Sequence, residues 1–381
     1  MKKSFYSSDF KLGILGGGQL GRMLIQESIN YDIHIEILDP DKNAPCKDIC
    51  AQFINGNLQD FDTVYNFGKN MDVVTIEIEH VNVEALHKLK AEGVTVYPQP
   101  EVLEIIQDKG LQKDFFTKNN IATAPYVLIK DKNEIEQHLD KMPFMQKLRK
   151  GGYDGRGVTP IKSDKDIETA FDAPSVLENF IDFEKEISVI VGRNPQGEIS
   201  CFPVVELVFN PEANLVEYLF SPAVISTEVE QKALQLANKI AKDLNIVGIM
   251  AVEMFVDKSG EVFVNEIAPR PHNSGHHTIE ANETSQYLQH LKAILGLPLG
   301  STESNCHAAM INLLGEKGYE GEVYYKGLEE TLQKGVFPHI YGKKITKPFR
   351  KMGHITVVGK DADTVKSQVN HIKNNLKVIS K

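Results

Sequence analysis

The sequence predicts a protein of mixed α/β and α+β class with three domains. These are an N-terminal doubly wound α/β domain (1–105), a central domain (106–300) and a small β-rich C-terminal domain (301–381). Strand-like and helix-like patterns alternate through the first domain, which is typical of a doubly wound sheet. Apolar strands separated by a glycine-rich loop follow in the second, and short strands and turns follow in the third.

The composition is that of an ordinary globular protein. Its 381 residues, 41% of them hydrophobic, are enough for several cores. The formal net charge of −10 argues against non-specific binding to nucleic acid or to an anionic membrane surface. We see no signal-peptide pattern and no apolar run of about 18 residues, so we expect a cytoplasmic protein. Cys46, Cys50, Cys201 and Cys306 lack CxxC spacing, which favours free thiols.

The N-terminal domain is predicted from the alternation of apolar runs and amphipathic segments. The predicted strands are Lys11–Leu15, Ile33–Leu38, Met71–Ile78 and Val94–Tyr97, and the predicted helices are Leu20–Ile29 and Val83–Glu92.

A glycine-rich loop, Gly16 to Gly21, joins the first strand to the first helix and formally fits GxGxxG. Asp39 follows at about the distance at which a dinucleotide site places its ribose ligand. Such a loop offers backbone N–H groups and a helix N-terminus to an anion. Three interpretations remain open: a dinucleotide in an NAD-dependent oxidoreductase, a substrate that carries a monophosphate, or a purely structural turn.

The central domain begins with segments of alternating type, namely a helix over Val102–Asn119, a strand over Tyr126–Ile129, a helix over Glu134–Leu139 and a strand over Phe144–Arg149. The loop Gly151–Gly157 follows, with four glycines in seven residues. Its main-chain donors and the nearby Lys147 could cover a triphosphate, although GxxxxGK[ST] is absent. An ordinary glycine-rich hairpin is the alternative.

A strand over Ser175–Ile181 could present its edge to an adenine ring. Glu178 and Glu186 would then accept hydrogen bonds from the exocyclic amine and the ribose hydroxyls. On their own, the two side chains are equally typical of solvated carboxylates at a strand end.

Two further strands, Ile249–Val256 and Glu261–Ile267, are connected by four turn-forming residues and read as a hairpin. If Val256 pairs with Glu261, Glu253 lies diagonally opposite Glu266, with roughly 7 to 8 Å between the backbones. Two carboxylates at this spacing suit Mg²⁺, with Mn²⁺ as an alternative, because such ions take their remaining ligands from water and phosphate.

The hairpin prediction depends on its register. A bulge or a slip of one residue would put the two carboxylates on opposite faces. The same register turns Asn265 away from the pair, so a metal role for Asn265 needs a local distortion. A pair of edge-strand glutamates facing water is the alternative.

The C-terminal domain is predicted to contain strands over His307–Leu313, Gly335–Ile340 and His354–Val358 and a final helix over Ala362–Asn375.

Several strings resemble the ATP-grasp superfamily: Lys147 with GGYDGRG, the ENFI strand with Glu186, and Glu253 with NEIAPRPHNSGH. Within it, GGGQLGRML and NEIAPRPHNSGHHT resemble the N5-carboxyaminoimidazole ribonucleotide synthetase family, and the similarity extends over essentially the whole chain. The resemblance implies a central ATP-grasp domain and a homodimer. It also implies a reaction in which 5-aminoimidazole ribonucleotide, ATP and bicarbonate give the N5-carboxylated nucleotide, ADP and phosphate through carboxyphosphate.

The resemblance also implies roles for individual residues. Glu253 and Glu266 are the expected metal ligands. The expected nucleotide ligands are Lys109, Lys147, Gly152, Tyr153, Asp154, Gly155, Arg156, Gly157, Val158, Glu178, Asn179, Phe180, Ile181, Glu186, Asn265 and Glu266. The expected ribonucleotide ligands are Gly18, Gln19, Leu20, Glu77, Tyr153, Asp154, Arg156, Lys343 and Arg350, and the catalytic candidates are Arg156, Arg270, His272 and Asn273.

Two positions depart from the family pattern, and some alternatives stay open. Phe209 stands where relatives often carry His, and Lys109 stands where they often carry Arg. Lys343, Lys344, Arg350 and Lys351 could form only a solvated basic face. The alternative functions are a formate-dependent glycinamide ribonucleotide transformylase, an NAD-dependent oxidoreductase and a catalytically silent nucleotide-binding protein.

Overall fold

The computed structural model describes residues 3–152, 157–210 and 215–381. The N-terminal region alternates strands and helices as predicted, and adds β3 and α2 to them. Its elements are β1 (Leu12–Leu15), α1 (Gln19–Ser28), β2 (Ile35–Asp39), β3 (Gln52–Asn55), α2 (Phe61–Gly68), β4 (Val73–Ile76), α3 (Val83–Ala91) and β5 (Thr95–Val96).

The N-terminal sheet is parallel, with the strand order β3-β2-β1-β4-β5. Its central strands β1 and β4 are buried, as expected where helices cover both faces of a sheet, and Leu12, Ile14 and Leu15 are fully buried. The order reverses between β1 and β4, and ligand sites in such sheets lie at that point, beyond the carboxyl ends of the strands. The Gly16–Gly18 loop after β1 and Glu77 after β4 therefore lie side by side.

Two helices and a four-stranded sheet open the central region. They are α4 (Pro100–Ile106), α5 (Lys109–Lys118), β6 (Tyr126–Ile129), β7 (Phe144–Leu148), β8 (Val158–Ile161) and β9 (Ser175–Asn179), with the strand order β6-β9-β7-β8. Glu134–Leu139 lies within a 3-10 helix, Lys132–Lys141.

The prediction of a single helix over Val102–Asn119 is wrong, because the helical conformation is interrupted between α4 and α5. Asp108 adopts an extended conformation there and accepts hydrogen bonds from the N–H groups of Gly110 and Leu111. It therefore starts a second helix, and Lys109 is the first residue of that helix.

The main sheet of the molecule continues through the rest of the central region. The elements there are β10 (Phe183–Arg193), β11 (Ile199–Cys201), β12 (Val205–Asn210), β13 (Leu215–Ser221), α6 (Thr227–Asp243), β14 (Gly248–Asp257), β15 (Val262–Ala268), α7 (Thr278–Ala281) and α8 (Gln286–Ile294). Helix α6 has an apolar side that includes Ala233, Ala237 and Ile240, which are fully buried in one core with strand residues such as Val189 and Val252.

The C-terminal strands extend this sheet. The elements are β16 (His307–Leu314), β17 (Gly321–Lys326), α9 (Leu328–Thr331), β18 (Val336–Ile340), β19 (Ile345–Thr346), β20 (Lys351–Gly359), α10 (Ala362–Asn375) and β21 (Lys377–Ser380). The sheet runs β15-β14-β10-β12-β13-β16-β20-β18, with β11 paired to β10, while β17, β19 and β21 form a small sheet of their own. The predicted C-terminal helix is confirmed at both ends.

A buried contact joins the N-terminal region to the main sheet. The His290 side chain on α8 lies 2.9 Å from the Thr75 hydroxyl on β4, and its Nδ1 accepts a hydrogen bond from the N–H group of Ile249 on β14. Both side chains are completely buried. Among the described residues, no helix has the length and apolar character needed to cross a membrane.

Candidate active site

The two acidic residues of the β14–β15 hairpin lie directly opposite each other. Glu253 pairs with Glu266, although the predicted register is wrong, because Val256 pairs with Val262 instead of Glu261. The pairing then shifts between Glu253 and Met254, where β15 contributes one extra residue. Relative to the predicted register, the pairing is displaced by one residue, which alone would put Glu266 on the opposite face from Glu253. The bulge reverses the face once more, so the two side chains lie on the same face.

Asn265 is the extra residue of this bulge, and its side chain also points into the site. Its Oδ1 accepts a hydrogen bond from the Lys147 ammonium at 2.9 Å. The expectation that Asn265 turns away from the carboxylate pair is therefore wrong, because the local distortion that it required is present. Two consecutive residues, Asn265 and Glu266, consequently face the same cavity.

The carboxylate pair has an asymmetric environment. Lys109 donates a hydrogen bond to Glu266, and the charge of this lysine holds the pKa of Glu266 well below its usual range. Burial and the neighbouring charge of Glu266 raise the pKa of Glu253. The Glu253 side chain is 17% exposed and that of Glu266 is 44% exposed, so both reach the cavity.

This donor set fits a hard divalent cation. The carboxylates of Glu253 and Glu266 lie side by side and repel each other. In this structure the Lys109 ammonium is the cation that contacts Glu266. Among the described residues, no group of three or more His, Cys, Asp or Glu side chains is arranged around a common metal position. Few protein ligands and free positions for phosphate oxygens are typical of Mg²⁺ sites.

A buried chain of charges lies beside the pair. Glu178 is 5% exposed, and its two oxygens contact the ammonium groups of Lys113 at 3.2 Å and Lys147 at 2.8 Å. Burial acts against ionisation of Glu178, but the charges of the two lysines hold its pKa below the usual range. Lys147 then reaches Asn265, so this chain extends from the four-stranded sheet to the bulge.

A cavity of about 390 Å³ opens between the four-stranded sheet and the main sheet. Its polar lining includes Lys109, Lys147, Glu178, Glu186, Glu253, Asn265 and Glu266, and its apolar lining includes Met145, Val158, Phe180, Ile181, Phe183, Phe209, Leu215 and Phe255. The rings of Phe183 and Phe255 stack with centroids 4.7 Å apart. An apolar cleft with a few convergent polar groups is typical of a small-molecule site.

The predicted adenine strand is shorter than expected, since β9 ends at Asn179. Phe180 and Ile181 follow the end of the sheet ladder and line the cavity. Glu186 lies on β10 opposite Phe255. Burial, together with the charge of Glu266, raises the pKa of Glu186 to about 7, while Lys147 acts in the opposite direction.

The loop after β15 places two of its catalytic candidates in the cavity lining and one beside the N-terminal region. His272 Nε2 lies 3.6 Å from Glu253, and its Nδ1 accepts from the N–H group of Ser274. Asn273 exchanges two amide hydrogen bonds of 2.8 Å with Asn312 on β16. Arg270 Nε lies 2.8 Å from a carboxylate oxygen of Glu79.

Glu77 occupies the helix N-terminus at which a phosphate was predicted. Its Oε2 accepts hydrogen bonds from the N–H groups of Leu20 and Gly21, both at 3.0 Å. Burial raises the pKa of Glu77, while the Gly21 N–H group and the charge of Arg270 oppose this. A phosphate-binding role of Gly18, Gln19 and Leu20 stays a prediction. In this structure the Glu77 carboxylate already accepts hydrogen bonds from the Leu20 and Gly21 N–H groups.

The dinucleotide alternative finds no support in this loop. Asp39 Oδ2 accepts a hydrogen bond of 2.6 Å from the N–H group of Gly17, and its Oδ1 accepts from Asp41 at 2.7 Å. Each Asp39 oxygen thus already accepts a backbone hydrogen bond, and the helix N-terminus contacts Glu77 where a dinucleotide site would place the pyrophosphate.

The remaining predicted ligands are distributed unevenly. Lys343 Nζ donates to the backbone carbonyl of Lys351, and Arg350 Nη1 donates to that of Ile345, so both contact their own hairpin. Gly152 and Gly157 border the loop between β7 and β8, and Val158 begins β8. Tyr153, Asp154, Gly155 and Arg156 lie outside the described residues.

Lys351 lines the cavity together with Glu253, and the sequence placed it in the basic cluster with Lys343, Lys344 and Arg350. Other residues of the site were missed from the sequence. Lys113 lies one helical turn after Lys109, and this spacing could have indicated a shared helix face. The contributions of Phe183, Phe255 and Asn312 come from strands far apart in sequence, and no local pattern announces them.

Family models match most of the chain. A ribonucleotide synthetase preATP-grasp domain matches residues 10–107, an ATP-grasp domain matches 114–287 and a phosphoribosylaminoimidazole carboxylase C-terminal domain matches 308–368. N5-carboxyaminoimidazole ribonucleotide synthase of Bacillus subtilis is 38% identical over 95% of both chains. The chain belongs to the N5-carboxyaminoimidazole ribonucleotide synthetase family of ATP-grasp enzymes.

Longer relatives of the family share the same region. Chloroplastic phosphoribosylaminoimidazole carboxylase of Vigna aconitifolia is 38% identical over 94% of this chain, and the chain spans 66% of that relative's length. This region of the longer relative therefore corresponds to nearly the whole chain.

Solved structures of the family have the same fold. The N5-carboxyaminoimidazole ribonucleotide synthetase of Thermotoga maritima has a TM-score of 0.91 and 44% identity, and the match covers 98% of this chain and all of the other. The Aspergillus clavatus enzyme in complex with ADP and 5-aminoimidazole ribonucleotide has a TM-score of 0.87 and 32% identity, with coverage of 97% and 99%. The predicted fold class, with preATP-grasp, ATP-grasp and C-terminal parts, is confirmed.

Proposed function

We propose that the chain is an ATP-dependent carbon–nitrogen ligase. It carboxylates 5-aminoimidazole ribonucleotide with bicarbonate and forms N5-carboxyaminoimidazole ribonucleotide, ADP and phosphate in purine biosynthesis. The observation that carries this proposal is the pair of Glu253 and Glu266, side by side on one cavity with Lys109 and Lys147. The names of the family members and the ligands of the Aspergillus clavatus enzyme support the same reaction.

The phosphoryl-transfer part follows from the placement of charge. The apolar cleft between Met145 and Phe255 would hold the adenine, and Glu186 would accept hydrogen bonds from the ribose hydroxyls. Lys109 and Lys147 would then face the phosphate groups as point charges. Phosphoryl transfer needs positioning and charge stabilisation more than covalent help from the protein, and these groups supply both.

Glu253 and Glu266 would hold Mg²⁺, or Mn²⁺ in its place, with Asn265 as a neighbouring oxygen donor. When bound, the ion would neutralise charge on the terminal phosphates of ATP. Lys109 contacts one oxygen of Glu266, and the other oxygen is the one that would be available to the ion. The Lys109 ammonium would also be placed to donate to a phosphate oxygen of the nucleotide.

The carboxylation part takes place beside the phosphoryl group. In our proposal bicarbonate attacks the terminal phosphate of ATP and gives carboxyphosphate and ADP. This anhydride then splits into CO₂ and phosphate, and the exocyclic amine of the ribonucleotide captures the CO₂ and loses a proton. His272 and Asn273 line the cavity next to the carboxylates, and Arg270 stands towards Glu77. We therefore assign the bicarbonate to this loop and the ribonucleotide to the side of the site on which Arg270 faces Glu77 and Glu79. We propose Arg156, Tyr153 and Asp154 as further ligands from the family pattern alone.

A coupled assay of ADP release tests the proposal, with ATP, bicarbonate and the ribonucleotide omitted one at a time. We expect full turnover only with all three and with Mg²⁺, and loss of turnover on chelation. Turnover that requires formate and ignores bicarbonate would select the formate-dependent transformylase alternative. ADP release in the absence of both bicarbonate and formate would contradict the carboxylation and the formate-dependent reaction alike. ATP binding without any turnover would leave a silent nucleotide-binding protein.

We also propose a homodimer, on the resemblance alone. Analytical ultracentrifugation should give a mass of twice 42.6 kDa. A monomer across the concentration range of the assay would contradict this part without affecting the proposed reaction. The expected cytoplasmic residence stays a prediction.

A further inference from the structure

Lys113 is a buried cation outside the cavity. Its side chain is 3% exposed, and its ammonium donates a hydrogen bond of 2.6 Å to the Thr123 hydroxyl. Thr123 in turn donates to the backbone carbonyl of Val264 on β15 at 2.7 Å. The lysine is thus fixed between α5 and β15. Among the described residues, the lining of the nucleotide cavity includes Lys147 and Glu178 but not Lys113.

Glu178 connects this hidden ammonium to the cavity. One oxygen faces Lys113 at 3.2 Å and the other faces Lys147 at 2.8 Å. Two ammonium groups and one carboxylate leave a net charge of one positive unit. If Lys113 were neutral, Glu178 and Lys147 would cancel each other, and the cavity would present no net charge to an anion at this point.

We propose that Lys113 neutralises Glu178 from behind the cavity, so that Lys147 keeps its positive charge for the phosphate groups of ATP. This inference rests on the proposed ATP-dependent function. Lys113 acts through Glu178, without touching the nucleotide, and is therefore a positioning residue. Because Lys113 lies behind Glu178, it adds positive charge near the cavity without taking up space in it. A lysine inside the cavity would compete with the nucleotide for that space.

The cost of burying this charge is consistent with such a role. Burial lowers the pKa of Lys113 to about 8, while Glu178 raises it and Lys147 and Lys109 lower it. The group remains mainly protonated at pH 7. A buried ammonium whose only effect was to fill space would be replaced at lower energetic cost by an apolar side chain of similar size.

The test separates charge from shape through inorganic triphosphate, a probe that has no adenine. Binding of triphosphate in the presence of Mg²⁺ is measured by calorimetry on the full-length protein. Lys113→Met should weaken it by roughly tenfold or more, because a unit charge acts on a polyanion through a poorly screened medium. Glu178→Gln added to Lys113→Met restores the net positive unit. The double variant should return to within about threefold of the wild-type affinity.

Thr123→Val is the matched control, because it removes a hydrogen-bond partner of Lys113 and no charge. It should bind triphosphate with an affinity within about twofold of wild type. Lys113→Gln, which is neutral but can still donate hydrogen bonds, replaces the methionine variant if thermal melting shows that Lys113→Met does not fold. The same loss is expected of it.

Three results would overturn the inference. They are wild-type affinity in Lys113→Met, an equal loss in Thr123→Val, and a double variant that stays as weak as Lys113→Met. Failure of the proposed function looks different, since the wild-type protein would then show no ADP release that depends on bicarbonate and the ribonucleotide, whatever the triphosphate affinities of the variants.

Discussion

At the residue scale, the site owes its chemistry to carboxylates in unequal environments. Glu266 keeps its charge beside Lys109, Glu178 keeps its charge between two lysines, and burial disfavours ionisation of Glu253 and Glu186. Groups of one type with divergent pKa values are typical of functional sites. In the proposed function, a cation would gain most from Glu253 and Glu266, because it would relieve the repulsion between them.

Glu266→Gln should abolish turnover. The amide keeps the shape of the side chain but has no charge for the cation, and it no longer attracts Lys109. We expect kcat to fall by roughly 100-fold or more, as for the loss of other groups that stabilise charge in a transition state. Glu261→Gln on the same hairpin is the control, since Glu261 is 59% exposed and pairs with Lys232. Near-normal ADP release by Glu266→Gln would refute the metal assignment.

Glu186 should leave a signature in the pH dependence of stability. Its pKa in the folded protein is about 7 and its usual value is 4.5, so the folded state binds the proton more tightly than the unfolded state. The resulting stability is present below pH 4.5 and is lost as the pH rises through 7. The melting temperature of Glu186→Gln minus that of wild type should therefore increase from pH 5 to pH 8. A constant difference would show that Glu186 has an ordinary pKa.

At the element scale, the hairpin illustrates what a sequence can and cannot predict. The alternation of side chains identified β14 and β15 and placed Glu253 near Glu266. It could not predict the bulge at Asn265, since an extra residue in a ladder is stabilised by contacts such as the hydrogen bond from Lys147, which comes from a distant strand. The correct conclusion about the pair was reached through a register that was wrong by one residue.

The interruption between α4 and α5, unlike the bulge, could have been predicted from the sequence, because a local signal was available. Asp108 before Lys109 and Gly110 is a reasonable helix start, but the apolar periodicity of 102–119 concealed it. Asp108 also forms two hydrogen bonds of 2.8 Å with Arg149 at the end of β7. The start of α5, which carries Lys109, is thereby tied to the base of the glycine-rich loop.

Asp108→Ala should lower both stability and nucleotide affinity. We expect a loss of about 2 kcal/mol in unfolding free energy, from the helix cap and from the partly exposed pair with Arg149. The KM for ATP should rise severalfold, since Lys109 would no longer be held at the helix start. Ser226→Ala removes the cap of α6 and should cost about 1 kcal/mol with the KM for ATP unchanged. If the two variants changed the KM for ATP equally, Asp108 would have no specific role in positioning Lys109 for the nucleotide.

At the scale of the whole molecule, individual strands and helices could be predicted from the sequence better than the contacts between distant segments. Strands and helices of the N-terminal region follow the predicted pattern, because each depends on local periodicity. The continuity of β16, β18 and β20 with the main sheet does not show in any local pattern. The same is true of the link between Asn273 and Asn312, which brings the C-terminal strands to the site. Pairings between distant segments depend on the packing of the complete fold.

The buried contact between Thr75 and His290 is expected to affect both the stability of the fold and the binding of one substrate. Ile249 donates to Nδ1 of His290, so Nε2 carries the proton and donates to the Thr75 hydroxyl. Burial lowers the pKa of His290 to about 3, and the ring is neutral. Thr75→Val would leave this buried N–H group without its acceptor, at a cost of about 1 to 3 kcal/mol.

The same substitution should distinguish the two substrates. Thr75 lies on β4, two residues before Glu77 and the proposed ribonucleotide side of the site, whereas the central sheets build the proposed ATP cavity. We therefore expect Thr75→Val to raise the KM for the ribonucleotide severalfold and to leave that for ATP unchanged, as steady-state assays would measure. Thr169→Val, at an exposed position, should change neither. An equal rise for ATP would mean that the buried contact supports the whole fold and has no separate effect on the ribonucleotide side.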